Sequence, residues 1–127
     1  MDAAQALTDL TALSAQVTSA IVVDADGAPV AATLDEDRAG KLAQTVQELL
    51  AAADRVGDGR PVAQLEVATG KGGVFLVRDG DLTIAATTRP EPAAGLVFYD
   101  LKTTLRSIRE PKPKPKPKAR KKSDASA

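Results

Sequence analysis

Cysteine, histidine and tryptophan are absent from this chain of 127 residues, and only Phe75, Phe98 and Tyr99 are aromatic. Without cysteine and histidine there is no disulfide, thiolate nucleophile, Cys/His zinc site, imidazole general base or Ser-His-Asp triad. An enzyme of this composition would have to rely on carboxylates, lysines, Tyr99 or hydroxyls, and no constellation of these stands out. No catalytic, cofactor or metal site is therefore expected. Long apolar runs are missing too: nothing approaches the ~18 uninterrupted apolar residues of a spanning helix. The start, Met1-Asp2-Ala3-Ala4-Gln5, has no basic n-region or apolar h-region of a secretory signal. Lack of cysteine fits any compartment, and a soluble cytoplasmic protein is the expectation.

With so few aromatics, one core must be filled by Leu, Val, Ile and Ala. Many alanines imply close backbone approach and surface left to bury against a partner. Charge is balanced overall at 17 bases and 17 acids, but not along the chain. Residues 110–127 hold Lys112, Lys114, Lys116, Lys118, Arg120, Lys121 and Lys122 against Glu110 and Asp124, so an acidic body of about −5 carries a tail of about +5.

The stretch Gly72 to Thr88 organises the body. Two apolar runs, Val74 to Val77 and Leu82 to Ala86, flank Asp79-Gly80, which favours the positive φ angles of a two-residue hairpin turn. The runs are apolar enough to lie near the middle of a sheet. Before them, residues 3–15 place Ala3, Ala6, Leu7, Leu10 and Leu13 at helical spacing. Residues 18–23 and 28–34 read as two strands around the turn Asp24-Ala25-Asp26-Gly27, with Pro29 assigning the second to an edge. Asp35-Glu36-Asp37 opens a long helix with apolar residues Leu42, Val46, Leu49, Leu50, Ala53 and Val56, and Gly57 is placed as its left-handed stop. Ala39, Ala43, Ala51 and Ala52 add a small-residue face on which another helix could pack. Residues 62–68 alternate, with Val62, Gln64 and Glu66 on one face and Ala63, Leu65 and Val67 on the other. After the break at Arg89-Pro90-Glu91-Pro92, Leu96, Val97, Phe98, Leu101, Leu105 and Ile108 form a last helix. Residues 1–109 are thus one domain. Residues 110–127, with Pro and Lys alternating from Pro111, are expected to be disordered and to reach on the order of 50 Å at roughly 3.1 Å per residue.

Three motifs yield to plainer readings. Thr69-Gly70-Lys71-Gly72-Gly73 resembles a phosphate loop, but Leu65 and Gly72 stand where the Walker pattern needs Gly and Ser/Thr, so a hairpin connection is preferred. Asp24-Ala25-Asp26-Gly27 lacks the later ligands of a calcium loop. Asp35-Glu36-Asp37 reads as helix capping before paired acid/base carboxylates.

The order helix, two strands, long helix, three strands, helix, with the hairpin GGVFLVRDGDLTIAATT and the last helix GLVFYDLKTTLRSI, resembles the roadblock/LC7 family, especially its bacterial MglB-like members. The resemblance covers about residues 3–109. It implies an α/β (α+β type) fold, a five-stranded antiparallel sheet with the long helix on one face and the terminal helices on the other. It further implies a homodimer that pairs the third strand, residues 62–68, and packs the long helices, residues 37–56. The interface residues would be Ala39, Ala43, Val46, Leu50, Val62, Gln64, Leu65 and Glu66. Bacterial members act with small Ras-like GTPases, so the implied role is regulation of such a GTPase by surface contact. An inserted arginine would come from Arg60, Arg78 or Arg89, and nothing in the sequence singles one out. The tail's seven cations are either a solubilising extension or a contact for anionic lipid, nucleic acid or an acidic protein face. With no aromatic among them, base stacking is not expected. An adaptor docking to an anionic surface through this tail is the alternative reading.

Overall fold

In the computed structural model, residues 2–57 and 63–109 are described. The Asp2 carboxylate accepts the Ala4 N–H at 2.7 Å and starts α1, Ala3–Leu13. At Ser14 the backbone turns extended, φ −96° and ψ 119°, so α1 ends two residues earlier than its spacing suggests and Leu13 is left exposed. Two strands follow, β1 at Val17–Val23 and β2 at Pro29–Ala32. Their turn is closed by Asp24, whose carboxylate accepts the N–H groups of Asp26 and Ala28 at 2.9 and 3.0 Å. Here the turn chemistry expected of Asp24-Ala25-Asp26-Gly27 is what the backbone adopts.

Asp35 caps the long helix α2, Glu36–Val56, by accepting the Arg38 N–H at 2.9 Å, with Glu36 and Asp37 in the positive first turn. Gly57 does not take the left-handed conformation: its φ is −75°, and its N–H simply closes on the Ala53 carbonyl. The last strands are β3, Gln64–Thr69, β4, Gly72–Asp79, and β5, Leu82–Thr88, before α3, Ala94–Arg109. In the β4–β5 hairpin Asp79 pairs with Leu82, so the two loop residues are Gly80 and Asp81, one place beyond Asp79-Gly80. Only Gly80 of the two has positive φ, 63°, the requirement of a turn with glycine first.

The antiparallel sheet runs β2-β1-β5-β4-β3, which puts β5 at its centre and Pro29 on the edge strand β2. On one face, α1 and α3 bring Leu7, Leu10, Val97, Leu101 and Leu105 onto Ala20, Val22, Phe75, Val77, Ile84 and Ala86. A bulge between Val17 and Ser19 shifts the pairing with β5 and lets Val17 join this face. Phe75 meets Phe98 edge to face, with ring centroids 5.0 Å apart. Leu96 departs from the expected stripe and is half exposed. On the opposite face α2 packs alone on Ile21, Val23, Leu76 and Ala85. The expected layers, one helix on one side and the terminal pair on the other, are those observed.

Candidate protein-interaction surface

Strand β3 closes one end of the sheet and, among the described residues, pairs only with β4. The Arg78 N–H donates to the Ala63 carbonyl at 2.8 Å, which makes Ala63 and Arg78 a hydrogen-bonded pair. Ladder alternation then turns the main-chain groups of Leu65 and Val67 toward β4, and those of Gln64, Glu66 and Ala68 toward the free edge. Side chains alternate the other way. Leu65 and Val67 lie with Leu76 and Val74 on the α2 face, and Gln64 and Glu66 with Val77 and Phe75 on the α1/α3 face. Leu65 is half-buried, Gln64 and Glu66 exposed. Val62, also expected on this strand, lies outside the described residues.

On α2 the structure reverses part of the expected assignment. Ala39, Ala43 and Val46 are 6%, 4% and 0% exposed, packed into the protomer's own core. They are not an outward face: small side chains are what let the helix axis approach the sheet closely. The wider residues Leu42, Leu49 and Leu50 are half-buried around that contact, and Val56 is 87% exposed. Leu42, Leu49 and Val56 recur every seven residues, so they form one stripe along the helix. Leu42, Leu49 and Leu50 of α2, Leu65 and Val74 of β3 and β4, and Ala32 and Leu34 toward the β2 end are the half-buried residues packed around this core.

At the other end of α2, Asp54 holds the Arg78 guanidinium through two contacts of 2.6 and 3.2 Å. The pair borders an open cleft of about 500 Å³ that Gln47, Asp24 and Asp81 also line. Among the described residues Arg78 is thus a tie between helix and sheet. Arg60 lies outside the described residues, and Arg89 is exposed just after β5 with its N–H on the Gln16 carbonyl. Arg109, at the end of α3, braces the β4–β5 turn by donating to Asp81 at 2.6 Å and to the Asp79 carbonyl at 3.2 Å. That hydrogen bond holds the Asp81 carboxyl below its ordinary pKa. The tail residues Lys112, Lys114, Lys116, Lys118, Arg120, Lys121 and Lys122 lie outside the described residues.

Sequence spacing missed a second feature of the β3 edge. Lys102 and Arg106, one turn apart on α3, border a crevice of about 280 Å³ together with Gln64 and Asp79. In the sequence they read only as bases near a helix C-terminus; tertiary packing brings them beside β3. Among the described residues no helix is long and apolar enough to cross a membrane.

Residues 3–88 match the family model described as the Roadblock/LC7 domain. A search of curated proteins finds no match. Among solved structures the chain is similar to a Roadblock/LC7 domain from Streptomyces avermitilis, at 23% identity and TM-score 0.77, covering 86% of this chain and 96% of that one. It is also similar to MglB of Myxococcus xanthus, at 13% identity and TM-score 0.71 over 84% of this chain and 90% of that one. A further neighbour is an MglB with a tetrameric arrangement, at 14% identity and TM-score 0.73 over 84% of each chain. At these identities the likeness is one of fold, and it extends through α3.

Proposed function

The chain belongs to the Roadblock/LC7 family, and from that premise we propose that it is a homodimeric regulator or scaffold that binds a small Ras-like GTPase in the cytoplasm and modulates its nucleotide cycle. The observation that carries this reading is the edge of β3, which pairs only with β4 among the described residues. Its outward N–H and C=O groups at Gln64, Glu66 and Ala68 invite a further strand, and half-buried Leu65 and Val74, on the same face of the sheet as the half-buried leucines of α2, supply apolar surface. A second copy joined there would make a ten-stranded sheet with two α2 helices side by side. The tetrameric MglB among the structural neighbours is in keeping with self-association.

The GTPase follows from the resemblance to MglB-like members. In this reading the chain does none of the chemistry itself. Its dimer face holds the partner's own catalytic groups in position, and positioning contributes much of phosphoryl-transfer catalysis. Arg78, one of the three arginines considered for insertion, is engaged by Asp54 of its own chain. The test is to mix the protein with small Ras-like GTPases of the same organism, then measure complex formation and hydrolysis. A complex in one nucleotide state with an altered turnover rate supports the proposal; no complex with either GDP or a GTP analogue overturns it.

The charge segregation of the sequence favours one second reading, an adaptor whose tail docks on an anionic surface. Deleting residues 110–127 separates the two readings. Regulation of the GTPase survives the deletion in the first, and salt-sensitive docking disappears in the second.

A further inference from the structure

We propose that two copies of this chain join β3 in one register, with Leu65 facing Leu65 of the second copy and Glu66 seated against the second copy's Lys102 and Arg106. This rests on the homodimer of the preceding reading and names the contacts that fix it.

The main-chain groups that point off the edge belong to Gln64, Glu66 and Ala68. Hydrogen-bonded pairs across a two-fold axis are therefore drawn from these three, because facing residues of an antiparallel ladder share a face. Three registers keep most of the strand paired, centred on Leu65, Glu66 or Val67. Centring on Glu66 sets two carboxylates directly opposite each other, which is repulsive. Centring on Val67 places Glu66 opposite Ala68, away from any cation of the crevice. Centring on Leu65 places Glu66 opposite Gln64, the strand residue that lines the crevice with Lys102 and Arg106.

The crevice suits a carboxylate. Its other charges are occupied within the chain, Asp79 by Arg109 at 3.8 Å and Arg78 by Asp54. Among the described residues neither Lys102 nor Arg106 is held in an ion pair. Glu66 projects on the same α1/α3 face of the sheet as the crevice. The Leu65 register thus satisfies two carboxylates and four cations symmetrically, and sets the two leucines at a closely spaced, non-hydrogen-bonded position on the α2 face.

The absence of cysteine makes the register directly readable. Single variants Leu65→Cys, Glu66→Cys and Val67→Cys are oxidised in otherwise full-length protein and run on non-reducing gels. The Leu65→Cys chains face each other at roughly 4.5 Å between Cα atoms and cross-link to covalent dimers, whereas the other two positions are offset beyond the ~7 Å limit of a disulfide. Glu66→Lys weakens the dimer about tenfold by removing two exposed ion pairs, and adding Lys102→Glu with Arg106→Glu restores it. Preferential cross-linking through residue 66 or 67, or a dimer indifferent to the charge at residue 66, overturns the register and leaves the homodimer standing. Single chains at every concentration in sedimentation overturn the homodimer as well.

Discussion

The two faces of the sheet are finished to different degrees. On one, α1, α3 and the sheet together contribute twelve buried residues, and half-buried Phe98 packs its ring against Phe75. On the other, the single helix α2 and the sheet contribute seven, with half-buried leucines packed around them. A pair of helices can shield a five-stranded sheet; one helix cannot reach its margins. In the proposed reading the difference separates roles: the α1/α3 layer holds the domain together, and the α2 layer with the β3 edge offers surface to a second copy. The same sheet can do both because successive residues of each strand point to opposite layers.

The most forceful way to break this comparison is to empty the finished face. Phe75 is fully buried and is the largest side chain in the core. Phe75→Ala is expected to cost about 3–5 kcal/mol in chemical denaturation, a large part of the stability of a domain this size. A loss below about 1 kcal/mol would show that this layer is not the stabilising one.

A smaller effect sharpens the contrast on the other face. Leu49 sits half-buried on the rim of α2, so Leu49→Ser is expected to remove only about 1 kcal/mol from the domain's own stability. Its larger consequence is on association, read as a rise in the dimer dissociation constant by sedimentation equilibrium. If denaturation suffers as much as for Phe75→Ala while association is unchanged, the assignment of roles to the two faces is wrong.

The smallest expected effect concerns the turn that α3 braces. Because the Arg109 hydrogen bond lowers the Asp81 pKa in the fold, the contact stabilises at neutral pH and is lost as pH falls through that lowered value, below the usual carboxylate range. The melting difference between the native chain and Asp81→Asn should therefore be present at pH 7 and shrink toward pH 3. Asp81 is largely solvent-facing and Arg109 partly so, and the difference is therefore modest and weakened further by salt.

Much of the fold was legible because it depends on neighbours in sequence. Asp35 caps a helix wherever it precedes one, and Asp24 closes its own turn through two N–H groups close behind it. Pro29 lacks a donor in any fold, and the structure puts it on an edge. Errors arose where geometry is set by a distant element. The β4–β5 loop sits one residue later than its dipeptide suggests, because the register is tied on both sides by β1 and β3. Gly57 ends α2 without a left-handed φ. Ala39 and Ala43 face inward, since the sheet selects the face of α2 that allows the closest approach. The Lys102–Arg106 crevice was invisible, because its parts come from three separate elements, β3, the end of β4 and α3.

By itself the sequence determined the order of the elements, the two-sided apolarity of the central strands and the split between an acidic body and a basic tail. Periodicity, turn residues and charge are properties of short stretches, and each acts before any tertiary contact exists. Only the tertiary structure decided which side of α2 is buried, that β3 ends the sheet with its outer groups unpaired among the described residues, and that two cations of α3 stand beside Glu66's strand. Those outcomes depend on how several elements fill one volume, a condition that no single segment carries.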